Sequence, residues 1–125
     1  MAARLPHLFF THFRPTSFVA IDDARIVGFC CAFVSQSDPA VGYIHFVGVD
    51  PGARASGLGR SLYQRTFVAL RAAGCLVVEC VTSPVNTTSI AFHTAMGFAS
   101  LLELDHDGPG EDRVVFRRTL DADPI

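Results

Sequence analysis

One stretch, Val49-Asp50-Pro51-Gly52-Ala53-Arg54-Ala55-Ser56-Gly57-Leu58-Gly59-Arg60, narrows the folds open to this chain more than any other. Ahead of it lies an apolar run, Val41 to Val49, that reads as a strand. Behind it, Leu58 to Ala73 carries Leu62, Phe67 and Leu70 at helical spacing and stops at Gly74. Cys75 to Val81 is an apolar strand again. Strand, helix and strand in that order predict a right-handed crossover with its two strands parallel. The turn into the helix is opened by glycines. A helix start exposes N–H groups without partners and the positive end of the peptide dipole, about half a charge. Gly57 and Gly59 have no Cβ to hold a bulky anion away from those groups. The segment reads as a cradle for a phosphate or pyrophosphate.

The flanking pattern is antiparallel. Leu8 to Phe13 reads as the tail of a helix that ends before Pro15. Phe18 to Ile21 and Ile26 to Val34 form a hairpin across the turn at Asp22 to Arg25, and Ser35 to Ala40 is a loop. After the loop Thr82 to Val85, a short helix from Asn86 to Met96 is stopped by Gly97. Phe98 to Leu104 and Arg113 to Leu120 are strands joined by the Gly/Pro-rich turn Asp105 to Asp112. The tail from Asp121 is expected to fray. The predicted fold is α/β (α+β): a mixed, mostly antiparallel sheet flanked by helices, around a central strand–loop–helix–strand unit. With 125 residues and no internal linker or repeat, residues 1–125 read as one domain.

Charge and cysteine usage exclude several classes. A net charge of −2 argues against general nucleic-acid binding, which needs excess positive charge. No apolar run reaches the roughly 20 residues of a membrane span, and Met1 to His7 lacks the pattern of a signal peptide. Cys30, Cys31, Cys75 and Cys80 show no metal-ligand spacing, and none is read as a metal ligand. They read as reduced thiols of a cytoplasmic protein, with adjacent Cys30 and Cys31 on opposite strand faces. A Walker-type nucleotide loop requires Gly-Lys-Ser/Thr, and this chain has no lysine at all.

Three motifs, in order, carry a family resemblance. Arg54-Ala55-Ser56-Gly57-Leu58-Gly59 fits an Arg/Gln-x-x-Gly-x-Gly/Ala pyrophosphate loop. Tyr43 to Val49 is the strand leading into it. Asn86-x-x-Ser89-x-x-Phe92-His93-x-x-x-Gly97-Phe98 fits a helix of the form Asn-x-x-Ala-x-x-Leu/Phe-Tyr-x-x-x-Gly-Phe. From about Phe18 to Leu120 the chain resembles the GNAT superfamily of acetyl-CoA-dependent N-acyltransferases. Two departures stand out. His93 occupies the family's frequent tyrosine position. The family normally opens with a strand and one or two helices before the hairpin, whereas 17 residues precede Phe18 here, so residues 1–17 read as the remnant of an N-terminal helical region. Those helices usually wall the acceptor pocket.

The resemblance implies roles for particular residues. Backbone N–H groups of Ala55, Ser56, Gly57, Leu58, Gly59 and Arg60 would hold the pyrophosphate of coenzyme A, with positive charge from Arg54 and Arg60. Val47 and Val49 would offer backbone groups to the acetyl and pantetheine arms, with Gly48 between them marking a bulge or close approach. Asn86, Ser89, Phe92 and His93 would line the cofactor from the second helix. By the two-residue period His45 shares a face with Tyr43, Val47 and Val49. It is the first candidate for the base that deprotonates the amine, and Glu79, a lone carboxylate in an apolar strand, is the second. His93 is a candidate acid for the departing thiolate.

The implied activity is acetyl transfer from acetyl-CoA to a primary amine by direct attack. The alternative is a non-catalytic acyl-CoA-binding or regulatory domain, which the cofactor motifs do not discriminate against. The acceptor is a small-molecule or protein amine. The acidic turn at Asp105 to Asp112 could attract a cationic amine, although a solvated hairpin tip is the preferred reading. Phe9, Phe10 and Phe13 suggest an uncovered patch and, with it, a homodimer.

Overall fold

In the computed structural model, which describes residues 5–120, a short helix α1 (His7–His12) leads through a 3-10 turn at Arg14–Thr16 into the sheet. Strands β1 (Phe18–Asp22), β2 (Arg25–Val34) and β3 (Val41–Val49) follow as an antiparallel meander. A second 3-10 helix, Pro51–Ser56, precedes helix α2 (Leu58–Ala72). Then come β4 (Val77–Thr82), α3 (Thr87–Ala95), β5 (Ala99–Glu103) and β6 (Arg113–Thr119). The strand order is β1-β2-β3-β4-β6-β5, and only β3 and β4 run parallel. This is the mixed α+β sheet the pattern predicts. The fraying expected from Asp121 concerns residues outside the described ones. The two 3-10 turns were not anticipated. Each begins at a proline-containing step, where a missing N–H favours a tight turn over a regular helix start.

Two layers cover the sheet. On one face α2 and α3 build the main core around Leu62, Tyr63, Phe67, Leu70, Val78 and Phe116. On the other, α1 lays Phe9 over Phe29 and Cys31 of β2, with Phe10, Phe13 and Phe33 around them. The phenylalanines near the start therefore form no exposed patch: Phe9 is 8% exposed, and burying such a ring contributes roughly 1.5–3 kcal/mol. Cys30 and Cys31 do point to opposite faces. All four cysteines are free and buried. Burial pushes the Cys30 thiol up to about 12 and Cys31 to about 11, so neither is a ready nucleophile.

Two irregularities shape the centre. First, β2 and β3 slip register: Cys31 lies opposite Phe46 but Ala32 opposite Ile44, leaving His45 as the extra residue of a β-bulge. Second, β3 pairs with β4 only through Val41, Gly42 and Tyr43 against Val77, Val78 and Glu79. Beyond that point β3 stays with β2 as far as Val49, and β4 stays with β6 as far as Thr82. The sheet therefore parts into two halves, and the β4-facing backbone groups of the rest of β3 have no strand partner.

Candidate functional site

The parting opens into a cleft of about 690 Å³. Val47 and Val49 line it from β3, Arg54, Gly57, Gly59 and Arg60 from the loop and α2, and Asn86, Ser89, Phe92 and His93 from α3. Residues far apart in sequence and named from three separate motifs thus face one space.

Local chemistry sets the loop. The Asp50 carboxylate accepts the Gly52 N–H, starting the 3-10 turn. Gly57 then caps α2 with φ of +79°, a left-handed conformation that strains any residue with a Cβ. No side chain caps α2, and its first turn holds no acidic residue. The amides of Leu58, Gly59 and Arg60 therefore have no carbonyl to meet within the helix. A Cβ on Gly57 would touch nothing in the protein and stand in the cleft. One on Gly59 would come within 3.5 Å of Phe92 and narrow it. Arg60 is exposed and in no ion pair among the described residues, while Arg54 donates through Nε to the Val49 carbonyl at 3.4 Å. An open amide nest with two guanidiniums beside it suits a diphosphate.

Some expected cofactor residues do other work. Gly48 faces away from the cleft: a Cβ there would lie 2.6 Å from the Phe29 ring, so the glycine is needed by the α1-side packing. Leu58 sends its side chain into the core against Gly28. Ser56 lies in the 3-10 helix with Ala55 and donates its hydroxyl to the Ala53 carbonyl at 2.6 Å. Asn86 is the N-cap of α3, its Oδ1 accepting the Ser89 N–H at 3.0 Å. Thr88, Ala95 and Met96 also line the cleft. Met96 follows Ser89 and Phe92 at helical spacing, a signal that could have placed it there.

The three candidates for proton transfer are placed very differently. His93 is 5% exposed and stacks on Phe116 with centroids 4.2 Å apart. Its Nδ1 meets the Ser89 carbonyl at 2.7 Å, and its Nε2 meets the Tyr63 hydroxyl at 2.8 Å. A carbonyl only accepts, so Nδ1 carries the hydrogen and Nε2 accepts from Tyr63. Burial holds the imidazole below its usual range, partly offset by the Ser89 bond. A neutral ring with both nitrogens engaged does not fit the expected imidazolium acid. Tyr63, which locks it, lies in α2 one residue after Leu62, and no motif in the sequence singles it out.

Glu79 is paired with Arg117 across β4 and β6, through Oε2 and Nη1. The salt bridge occupies one carboxylate oxygen. Beside it, burial raises the Tyr43 hydroxyl above its ordinary value, with Cys80, Asp107 and Glu79 adding to the effect, so Tyr43 stays protonated.

His45 does not share a face with Val47 and Val49, contrary to the two-residue period. The bulge shifts the alternation by one. Tyr43, His45 and Phe46 all turn to the α1 face, where His45 stacks on Phe9 (5.3 Å, 15°) and Phe46 meets Phe29. Val47 and Val49 turn to the α2 face. His45 is exposed and makes no hydrogen bond among the described residues. It stands on the strand that borders the parting, on the side opposite the cleft lining.

Known proteins resemble this chain in sequence and in fold. A mycothiol acetyltransferase of Sanguibacter keddieii is 41% identical over 80 residues, 61% of this chain and 25% of that protein. An L-2,4-diaminobutyric acid acetyltransferase of Nocardia farcinica is 32% identical over 84 residues, 67% of this chain and 44% of that protein. This chain spans about a quarter of the length of the mycothiol acetyltransferases it matches. Among solved structures, yncA of Salmonella typhimurium with its cofactor acetyl-CoA superposes with a TM-score of 0.75 at 20% identity, over 95% of this chain and 75% of that one. No helix among the described residues is long and apolar enough to cross a membrane. Residues 2–98 match the model of the acetyltransferase (GNAT) family, and the chain belongs to that family.

Proposed function

We propose that this chain is an acetyl-CoA-dependent N-acetyltransferase acting on a primary amine by direct attack, with His45 as the base. The single observation behind it is the continuity of two features. The parting of β3 from β4 runs directly into the uncapped, glycine-opened start of α2, so one channel offers unpaired strand amides at one end and an anion nest at the other.

Acetyl-CoA bound there supplies an acyl thioester. The amides of Leu58, Gly59 and Arg60 hold the diphosphate, and Arg60 adds charge. The unpartnered backbone of β3 around Val47 and Val49 orients the acyl arm, and Asn86 and Ser89 line it from α3. His45 takes the proton of the amine from the α1 face. Among His45, His93 and Glu79 it is the one whose hydrogen-bonding atoms are all available among the described residues, and an imidazole nitrogen can accept the amine's proton. Glu79 and Tyr43 on the same face orient the ammonium before it is deprotonated. His93 holds α3 in place and donates no proton.

The relatives' names, mycothiol and diaminobutyric acid, support a small-molecule acceptor over a protein one. The test has two stages. Coenzyme A and acetyl-CoA must raise the melting temperature by linkage, by about 2.7 kcal/mol of stabilisation at a hundredfold excess over Kd. Free thiol release over an amine panel must then exceed the rate without amine. No thermal shift removes the cofactor site. A shift without amine-dependent thiol release leaves an acyl-CoA-binding domain.

A further inference from the structure

Helix α2 packs on both halves of the parted sheet. Leu62 and Leu70 point at the first half. A Cβ on Gly28 of β2 would come within 3.2 Å of Leu62, and one on Gly42 of β3 within 2.7 Å of Leu70. Tyr63, Phe67 and Arg71, spaced by four, form the adjoining stripe. Arg71 donates through Nη1 to the carbonyl of Leu120, just beyond β6, at 2.6 Å. The Arg118 guanidinium carbon sits 4.6 Å from the centre of the Phe67 ring, which also meets Phe98 at 5.9 Å between centroids. Tyr63 meets His93 of α3. The stripe thus joins α3 and the β4-β6-β5 half to a helix that lies over β1, β2 and β3.

The two ends of the stripe differ. At the Arg71 end the halves are tied a second time by the β3–β4 ladder, and the Leu120 N–H donates to the Leu76 carbonyl just ahead of β4. At the Tyr63 end the strands have parted. Tyr63 comes one turn after Gly59 of the nest, and its bond to His93 is the only hydrogen bond between α2 and α3 among the described residues. The other contacts of Tyr63 there are ring packing, on Phe92 at 5.1 Å and on Phe98 at 6.1 Å. Packed rings can slide. A hydrogen bond is directional and holds its donor–acceptor distance to roughly half an ångström.

We propose that Tyr63 is a positioning residue for coenzyme A: through His93 it sets how far α3 stands from the nest and from β3. Tyr63 is 1% exposed and absent from the cleft lining, so it stands behind the wall rather than in it. His93 carries the constraint forward. Its Nδ1 is held by the Ser89 carbonyl one turn earlier, and both residues face the cleft. A ligand there has to reach the amides at the start of α2, the β3 backbone and Asn86 and Ser89 together. If the α3 wall drifts, one set of these contacts is left unmade. This role rests on acetyl-CoA as the ligand of the cleft.

Tyr63→Phe keeps the ring and its packing and removes only the hydroxyl. The fraction of chains with the cleft at binding width then falls, and apparent affinity falls with it. Calorimetry should find coenzyme A bound about threefold to tenfold more weakly, the span that one hydrogen bond can supply. The KM for acetyl-CoA should rise by a like factor while kcat at saturation holds. Arg71→Gln cuts the bond at the other end of the stripe, where the β3–β4 ladder remains, and should leave the affinity within about twofold of the wild type. In a His93→Phe background the hydroxyl has no acceptor, so adding Tyr63→Phe should change affinity by less than about twofold. Melting curves set a temperature at which every variant is folded. A hydroxyl that serves stability alone would lower the melting temperature and leave affinity unchanged, which overturns the proposal. Equal weakening by Arg71→Gln, or by Tyr63→Phe in the His93→Phe chain, also overturns it. A wild type that binds no coenzyme A removes the cofactor reading and the positioning role together.

Discussion

His93 and His45 bring the same side chain into opposite settings. His93 sits in the α2-side core, stacked on Phe116, with one nitrogen donating to Ser89 and the other accepting from Tyr63. His45 sits on the α1 face, stacked on Phe9 and otherwise open. The first ring has no capacity left for chemistry, because protonating it costs desolvation and the Tyr63 bond together. The second has both nitrogens available. Motif position favours His93 as a participant, while available hydrogen-bonding atoms favour His45.

The largest effect is expected where both histidines depend on a filled cleft. Gly57→Glu forces a side chain and a negative charge into the anion nest from a left-handed backbone. Calorimetry should find coenzyme A binding lost by more than about a hundredfold; affinity within tenfold of wild type would remove the nest. Next, His45→Ala should lower kcat about a hundredfold while leaving coenzyme A affinity unchanged, in keeping with loss of a general base. Equal rates across pH would return the role to Glu79. The matched change on the other ring is Tyr63→Phe, which leaves His93 Nε2 buried without a donor. It should cost about 1–3 kcal/mol of stability and several degrees of melting temperature, with kcat nearly intact. A large kcat loss without destabilisation would reverse the two histidines' roles.

A smaller effect concerns acid. Folding lowers the His93 pKa below its ordinary 6.5, so the unfolded chain binds the extra proton first as pH falls. Its contribution to stability is complete above pH 6.5 and drains away as pH descends through the lowered folded value. Melting temperature should decline from pH 7 toward pH 5, and His93→Gln should flatten that decline. The smallest expected change is Glu79→Gln. It breaks the pair with Arg117, which is 57% exposed, and should raise the KM for the amine a few-fold with little effect on kcat.

Much of the site was legible because its signals are local. Gly57 and Gly59 mark the helix start, Asn86 marks the α3 cap, and Gly74 and Gly97 mark helix ends with φ of +100° and +88°. Each depends on a few neighbouring residues and on steric rules that any sequence obeys. The face of His45 was not legible. Its reading assumed unbroken alternation, and one extra residue in the pairing with β2 reverses it. What approaches Gly48 was not legible for a related reason: the Phe29 ring that requires a glycine there comes from another strand.

The chain's own sequence determined the order of elements, the parallel crossover and the glycine-opened turn into α2, since these follow from periodicity, glycine conformation and helix ends. Tertiary structure alone decided which histidine keeps its nitrogens open, because Tyr63 and Ser89 hydrogen-bond one ring while, among the described residues, only the Phe9 face packs on the other. It also decided where β3 leaves β4, and thereby whether the turn opens onto a channel at all. Hydrogen-bond partners and strand registers are relations between distant residues, and no local pattern records them.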